Sequence, residues 1–270
     1  KCITLTSEVV ALPIRIQLIV FAHILKMKTG IYTLVTIAAT LVLGTVACGN
    51  TRSNSPKMSD DKSGFCYVTD SIPDVILEIR YYSNYNFVGR RIDGYERPVA
   101  MLTHEAASAL KSACRQAMEL GYTFKVFDAY RPQCAVDVFV EWAADEADTL
   151  TRSYFYPYLS KSRLIPGGYI ATKSGHTRGS TVDLTLFELA SGKEVDMGAP
   201  FDWFGEESSP AYPVGGKPGL KPLTEEQHRM RMLLRKIMTD NGFRSITSEW
   251  WHFTLKDEPY PDTYFSFPLR

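Results

Sequence analysis

The sequence predicts an α+β fold, in a single compact domain that spans residues 65–270. Stretches with strand-like alternation are interspersed with amphipathic helical stretches, without the regular βαβ rhythm of a doubly wound sheet. This region contains no linker, repeat or low-complexity break, so its roughly 200 residues are expected to share one core. The chain has 270 residues, 45% hydrophobic and 22% charged, which is the balance of an ordinary globular protein.

The first half of the domain is expected to contain two extended stretches, a helix and a strand. Residues 66–69 and 75–81 are expected to be extended. Thr103 suits the N-cap of a helix over residues 104–121, where apolar residues recur at helical spacing. The alternating residues 122–127 then predict a strand.

The second half is expected to contain two helices and two strands. Pro132 suits the first turn of a helix, because its fixed φ and missing N–H are tolerated there. Residues 181–187 predict a strand, and residues 223–240 a helix that ends at an Asn-Gly pair. Residues 250–255 predict the last strand.

The N-terminal region has the pattern of an export signal. Residues 29–47 carry no charge, follow two lysines, and end in small residues before Cys48. This resembles a bacterial lipoprotein signal, in which Cys48 would carry the lipid and become the mature N-terminus, although Thr45 stands where an aliphatic residue is usual. The alternative is a single membrane-spanning helix, since about 20 apolar residues suffice to span a bilayer.

The first methionine of the chain is Met27. We therefore expect translation to start there, so that residues 1–48 comprise an upstream extension and the signal. Residues 49–64 are polar and Ser-rich and are expected to form a flexible tether. On this interpretation the protein is exported and lipid-anchored in the bacterial cell envelope, with the membrane as a partner.

The charge balance argues against a nucleic-acid partner, because 30 basic and 30 acidic residues leave no net charge and no basic stripe. The predicted domain contains Cys66, Cys114 and Cys134. An odd number permits at most one internal disulfide, whose pair stays open, and the spacing is not that of a zinc finger. Any metal site is therefore expected to use nitrogen and oxygen ligands.

Histidine is scarce, which narrows the search for a metal site. The chain has five, at positions 23, 104, 176, 228 and 252. His104 lies in the first turn of a predicted helix and His228 on a charged helix face, and both are most simply solvated. His176 and His252 remain.

Together with Asp183, these two histidines provide the three nitrogen or oxygen ligands that a catalytic zinc needs, with a fourth position left for water. Glu249 is the local candidate for the general base. In a regular strand positions i and i+3 face opposite sides, so Glu249 and His252 share a site only if the chain bends between them. Taken alone, the stretch from His176 to Asp183 would suit a surface loop, and residues 249–252 would suit two core tryptophans with polar neighbours. The two stretches together favour a zinc site.

Arg131 lies at the end of a predicted strand, just before a Pro-started helix, and is expected to be held rigidly. A fixed guanidinium beside a metal would stabilise the negative charge that develops on a carbonyl oxygen during amide hydrolysis. The alternative is a salt bridge to Asp128 that closes the turn, and the residues alone leave both open. No HExxH, GxSxG, P-loop or Rossmann fingerprint offers a competing site.

Several motifs, in order, resemble a known family. SGHTRGSTVD (residues 174–183) and EWWH (residues 249–252) resemble the metal signature of zinc D-alanyl-D-alanine peptidases, which are related to lysostaphin-type enzymes and the hedgehog N-terminal domain. The usual signature has Ala where this chain has Thr181. With FDAYRPQ, DMGAPFD and the tail DEPYPDTYFSFP, the chain resembles the D-Ala-D-Ala dipeptidases of the vancomycin-resistance type from about Phe65 onward.

The resemblance implies a central antiparallel sheet flanked by helices, and one Zn²⁺ per chain on His176, Asp183 and His252. It implies that Glu249 acts as the general base and then as the proton donor to the leaving amine. Arg131 becomes the stabiliser of the oxyanion.

Ser174 and Asp128 are implied to help position a small D,D-dipeptide. The expected reaction is hydrolysis of D-Ala-D-Ala to two D-alanines. One alternative is a D,D-carboxypeptidase that acts on peptidoglycan stem peptides, and another is a non-catalytic zinc-containing binding module. The Gly- and Pro-rich residues 197–223 would cover the site and favour the dipeptide, and the presence of Glu249 with Arg131 argues against the binding module.

Overall fold

The computed structural model describes residues 57–270. The predicted start at Met27, the signal sequence, the lipid site at Cys48 and the first half of the tether lie outside the described residues. Within the described part, no helix is long and apolar enough to cross a membrane.

Five α-helices and ten short strands make up residues 57–270, as the α+β prediction requires. The helices are α1 (Val68–Ser71), α2 (His104–Glu119), α3 (Gln133–Ala144), α4 (Arg152–Phe155) and α5 (Glu225–Asp240). The strands are β1 (Lys57–Ser59), β2 (Phe65–Tyr67), β3 (Ile76–Leu77), β4 (Met101–Thr103), β5 (Tyr122–Asp128), β6 (Thr181–Glu188), β7 (Lys193–Glu194), β8 (Phe243–Ser245), β9 (His252–Leu255) and β10 (Thr263–Phe265).

The main sheet is antiparallel at its centre and mixed at one edge. Its order is β3-β5-β6-β9-β8, with β7 paired to β6. The pairs β5–β6, β6–β9 and β8–β9 are antiparallel, whereas β3 lies parallel to β5. The expectation of a purely antiparallel sheet is therefore corrected at β3. A parallel pair needs a long crossover, and the segment between β3 and β5, which contains α2, supplies it.

Both long helices begin directly after a threonine N-cap. Thr103 caps α2, its Oγ1 accepting the backbone N–H of Ala106. Thr224 and Gln227 form a reciprocal capping box at the start of α5, which therefore begins two residues later than predicted. Helix α2 packs on β5, α5 packs on β8, and the two helices pack on each other. The sheet is thereby supported behind the strands that carry the site.

The domain includes residues that the sequence assigns to the tether. Strand β1 pairs in parallel with β10, and Lys57 N–H donates to the carbonyl of Asp262 at 3.2 Å. Ser266 N–H in turn donates to the carbonyl of Ser59 at 3.1 Å. Residues 57–59 of the predicted tether thus form a strand that backbone hydrogen bonds hold in place, although so short a stretch gives no apolar alternation that would predict it. The three cysteines described by the structure are all free.

Candidate active site

A tight turn presents His176 to the start of β6. Residues His176–Arg178 form a single 3₁₀ turn that ends at Gly179 with φ 80°. A Cβ on Gly179 would lie 2.1 Å from the ring of Phe65, so this left-handed position packs too closely for any side chain. Ser174 Oγ accepts the backbone N–H of His176 at 3.2 Å and fixes the start of the turn.

Strands β6 and β9 bring the other two predicted ligands together. Asp183 and His252 are directly opposed in the antiparallel register. Directly opposed residues project from the same face of a sheet, about 4.5–5.5 Å apart at Cβ. On the other side of β6, Asp183 is opposed to Asp128 at the end of β5, after a register shift. Three neighbouring strands therefore converge on one point.

The three predicted ligands have the spacing of a tetrahedral metal site. His176 Nε2 lies 3.2 Å from Asp183 Oδ2 and 3.3 Å from His252 Nδ1. His252 Nδ1 lies 3.1 Å from Asp183 Oδ1, and that oxygen is buried without a hydrogen-bond partner. Ligand atoms about 2.0–2.1 Å from a tetrahedral zinc are separated by about 3.3 Å. The set therefore fits such an ion, which would also satisfy the unpartnered oxygen.

The surroundings prepare these side chains to bind a cation. His176 Nδ1 lies 2.7 Å from the carbonyl of Ala129 and donates to it, which leaves the Nε2 lone pair for a metal. Burial lowers the pKa of His176 and favours the neutral ring. Burial alone would raise the pKa of Asp183, but the His176 and His252 imidazoles outweigh it and hold that pKa far below its usual value. Asp183 is thus ionised.

Glu249 lies beside the three predicted ligands because the chain bends before β9. The strand begins only at His252, and Glu249 precedes the turn at Trp250 and Trp251. Its Oε2 lies 3.4 Å from His252 Nδ1. Burial raises the pKa of Glu249 to about 7, although the charge of His252 opposes the shift. A carboxyl with this pKa can both take up and release a proton near neutral pH.

Arg131 forms the salt bridge that one interpretation of its sequence predicts, and it also faces the cavity. Its Nε donates to Asp128 Oδ2 at 2.8 Å, which is the predicted salt bridge. The guanidinium also lines the cavity beside the predicted ligands, with Nη2 3.6 Å from Asp183 Oδ2. It lies 5.0 Å from the ring centroid of Tyr81. The ion pair therefore holds the guanidinium in place, and does not withdraw it from the site.

Asp128 is not placed to contact a substrate, which corrects its predicted role. Its side chain is 1% exposed and does not line the cavity. Oδ1 accepts the Tyr95 hydroxyl at 2.7 Å, and Oδ2 accepts Arg131. Asp128 thus orients Arg131 from behind. Ser174, the other predicted substrate contact, does line the cavity.

Asp202, a second buried carboxylate that faces the same cavity, is not predicted as a site residue from the sequence. Asp202 is 6% exposed, and the Tyr81 hydroxyl donates to its Oδ2 at 3.0 Å. Within residues 57–270 no Lys, Arg or His nitrogen forms an ion pair with it. Burial raises its pKa well above the usual value, and the charge of Asp183 adds to this, against the opposing Arg131. The only sequence signal is its place at the end of DMGAPFD.

The cavity has a volume of about 230 Å³, below the roughly 300–1,000 Å³ of drug-sized ligand sites. Asp202 and Phe204 line it, so the Gly- and Pro-rich segment 197–223 contributes to its wall as expected. Aromatic rings form much of the remaining wall: Tyr81, Phe87, Phe139, Tyr169 and Trp251. The space suits a small ligand with both charged and apolar parts.

Comparisons with known proteins agree with this geometry. The model of the D-ala-D-ala dipeptidase family matches residues 61–270. The chain is 41% identical over 208 residues to a D-alanyl-D-alanine dipeptidase of Enterococcus faecalis, covering 77% of this chain and 99% of that one. It is 40% identical over 207 residues to the Enterococcus faecium protein of that name, covering 77% and 98%. A Streptomyces coelicolor protein of the same name is 36% identical over 213 residues, covering 76% and 98%.

Proposed function

This chain belongs to the D-Ala-D-Ala dipeptidase family of metal-dependent peptidases, and we propose that it hydrolyses the free dipeptide D-Ala-D-Ala to two D-alanines with one Zn²⁺ per chain. The observation that supports the free dipeptide is Asp202, a buried carboxylate that faces a cavity of about 230 Å³. A buried carboxylate without a cationic partner favours a positively charged ligand. The cavity is too small to hold a long peptide.

His176, Asp183 and His252 would hold the zinc. Two imidazoles and one carboxylate are a donor set that suits zinc, and their mutual distances of 3.1–3.3 Å match a tetrahedral ion. When bound, the zinc would polarise the scissile carbonyl and lower the pKa of a water molecule beside it.

Glu249 is proposed to move the proton. Its carboxylate lies beside the ligands and would accept a proton from the attacking water, then deliver it to the nitrogen of the leaving D-alanine. The raised pKa of about 7 supports this double role, because the group then exchanges protons at little cost in either direction.

Arg131 is proposed to stabilise the negative charge that develops on the scissile carbonyl oxygen. Its guanidinium is held by Asp128 and flanked by aromatic rings, so it needs little reorganisation during the reaction. Ser174 lines the cavity and fixes the turn that carries His176, so it would position the substrate and the turn together.

Asp202 is proposed to receive the free ammonium group of the dipeptide. The Tyr81 hydroxyl fixes the orientation of the carboxylate, so an ammonium at this end would place the peptide bond towards the metal ligands. A substrate with a blocked amino group would leave Asp202 buried and uncompensated, which is unfavourable. This arrangement selects a dipeptide over a longer stem peptide.

The deciding experiment compares turnover of D-Ala-D-Ala with turnover of a stem pentapeptide that ends in D-Ala-D-Ala, using purified zinc-loaded protein. The expected result is rapid cleavage of the dipeptide and little cleavage of the pentapeptide. Comparable or faster cleavage of the pentapeptide would establish the D,D-carboxypeptidase alternative. Stoichiometric zinc without cleavage of either peptide would establish a binding module.

The envelope location is also a proposal, which rests on the lipoprotein-like pattern before Cys48. Cells that express the full chain would be labelled with a radioactive fatty acid and fractionated. We expect label on the wild-type protein in the membrane fraction, no label on Cys48→Ser, and unchanged label on the control Cys66→Ser. Label that persists in Cys48→Ser would refute lipidation at this site.

A further inference from the structure

The segment that carries Asp202 has little secondary structure of its own. Residues 197–209, here called the Asp202 loop, lie between β7 and α5 and contain only the 3₁₀ turn Glu206–Ser208. Asp202 has φ 62°, the only positive φ of a non-glycine residue within residues 57–270. A loop of this kind keeps one conformation only when surrounding groups hold its backbone.

Arg231, on α5, holds both ends of the loop. Its Nε donates to the carbonyl of Met197 at 2.6 Å, and its Nη1 donates to the carbonyl of Ser209 at 3.0 Å. The side chain is 1% exposed and does not line the cavity. One guanidinium therefore fixes the separation of the two loop ends from outside the site.

Trp250 holds the loop at two further points. Its indole Nε1–H donates to the carbonyl of Ala199 at 3.1 Å, and its backbone N–H donates to the carbonyl of Ser208 at 2.9 Å. The guanidinium of Arg231 lies 6.0 Å from the Trp250 ring centroid. Since Trp250 follows Glu249 directly, the loop is fastened to the segment that carries the proposed base.

Burying a guanidinium is unfavourable unless its surroundings compensate it. Asp196 and Glu207 supply nearby negative charge, yet neither forms an ion pair with Arg231 within the described part of the chain. Its direct hydrogen bonds go to loop carbonyls, so its position serves the loop geometry. We infer that Arg231 and Trp250 are positioning residues that hold the Asp202 loop and thereby set the preference of the cavity for a free amino terminus. The inference rests on the proposed function through the role of Asp202.

The test compares Arg231→Met with Arg229→Met, an exposed residue of the same helix that pairs with Glu226. The readouts are zinc content, kcat and KM for D-Ala-D-Ala, and the inhibition constant of N-acetyl-D-Ala-D-Ala, which lacks the ammonium group. In Arg231→Met we expect KM to rise about tenfold, as for a loss of about 1.4 kcal/mol. The inhibition constant of the acetylated dipeptide and the zinc content should change little, and Arg229→Met should match the wild type.

Two further variants keep the inference testable if Arg231→Met folds poorly. Trp250→Phe keeps an aromatic side chain but removes the hydrogen bond to Ala199 and part of the buried ring system, while Arg231 still holds the two loop ends, so it should weaken the preference in the same direction but less. In the Asp202→Ala background, Arg231→Met should have almost no further effect on the preference, because both act through one carboxylate.

Equal weakening of both ligands, loss of zinc, or additive effects in the Asp202→Ala background would overturn the inference and leave Arg231 a general stabilising residue. Failure of the proposed function is distinguishable, because the wild-type protein would then either not cleave D-Ala-D-Ala or cleave the stem pentapeptide at least as fast.

Discussion

His176 and His252 turn different ring nitrogens towards the same point. Their rings lie edge to face with centroids 4.9 Å apart, and His176 Nε2 is 3.3 Å from His252 Nδ1. The Nδ1 of His176 is occupied by the carbonyl of Ala129, which determines which nitrogen remains free. Without a cation, the pKa of His252 is raised, since Asp183 outweighs the effect of burial. The arrangement therefore attracts positive charge, either a proton or a metal ion.

Removing either imidazole should remove the metal. We expect His176→Ala and His252→Ala to lose both zinc and activity, because two remaining ligands bind a divalent ion weakly. His104→Ala is the matched control, since His104 is exposed and lies in helix α2. Elemental analysis of the purified variants gives the answer without an activity assay. Full zinc content in His176→Ala would show that the ion binds elsewhere.

Replacing the proposed base should separate metal binding from catalysis. Glu249→Gln keeps the shape of the side chain but cannot accept a proton, so kcat should fall by about 10²–10⁴. Zinc stoichiometry should stay at one per chain, because Glu249 is not among the grouped ligands. Glu225→Gln, an exposed residue at the start of α5, serves as the control. Undiminished kcat would remove Glu249 from the mechanism.

Activity should not tolerate even a lysine in place of Arg131. A lysine in its place would keep the charge but could not both pair with Asp128 and reach the cavity with a planar group. We expect Arg131→Lys to lower kcat by about 10²–10³ and to change KM less, as for the loss of an oxyanion donor. Steady-state kinetics with D-Ala-D-Ala measures the two effects separately. A rise in KM alone would place Arg131 in substrate binding.

The metal-site geometry could be predicted from sequence because it depends on short motifs. His176 and Asp183 lie in one turn and the strand after it, and His252 lies on a strand directly paired with that strand. Because the chain has only five histidines, few other histidine pairs were candidates for metal ligands. The long helices were predicted for a similar local reason, since Thr103 suits an N-cap of the first and the Asn-Gly pair at residues 241–242 ends the second.

Features that depend on tertiary packing could not be predicted. Asp202 is 121 residues from its partner Tyr81 in the sequence, and no local pattern near either residue predicts the hydrogen bond between them. The pairing of β1 with β10 joins the two ends of the described chain, so residues 57–59, within a mostly polar stretch, resembled part of a tether. The family resemblance implies a substrate contact for Asp128, but that side chain does not line the cavity. Only the structure shows that it lies behind Arg131.

The Asp202 carboxylate is expected to lower the stability of the fold while it contributes to substrate binding. Its folded pKa is raised above the unfolded value of about 3.9, so this carboxyl destabilises the fold increasingly as pH rises above about 4, and the destabilisation is complete above the folded pKa. We expect Asp202→Asn to raise Tm at pH 7 while KM for D-Ala-D-Ala rises, because the amide keeps the Tyr81 hydrogen bond but carries no charge.

The gain in Tm for Asp202→Asn should shrink as pH falls, and vanish below about pH 4, where the carboxyl is protonated in both states. Thermal unfolding from pH 4 to pH 8 measures this, with the exposed Asp257→Asn as the control. A pH-independent gain, or a lower Tm at pH 7, would contradict a destabilising carboxylate at this position.

Thr181, where the family signature has Ala, should affect stability and leave metal binding unchanged. Its Oγ1 lies 2.9 Å from Thr254 Oγ1, its directly opposed partner on β9, and both side chains are buried. A Cβ on Gly175, next to His176, would lie 2.9 Å from Thr181 Oγ1, so the hydroxyl packs under the metal-binding turn. Thr181→Ala leaves Thr254 with a buried unpaired hydroxyl and should destabilise the fold by about 1–2 kcal/mol.

Removing both hydroxyls should be less harmful than the sum of the single changes, because Thr181→Ala/Thr254→Ala leaves no unpaired group. Denaturant unfolding of the two single variants and the double variant measures this coupling. Zinc content should stay at one per chain in all three, since the ligands keep their own hydrogen bonds. Loss of zinc from Thr181→Ala would instead show that the hydroxyl pair holds the metal-binding turn in place.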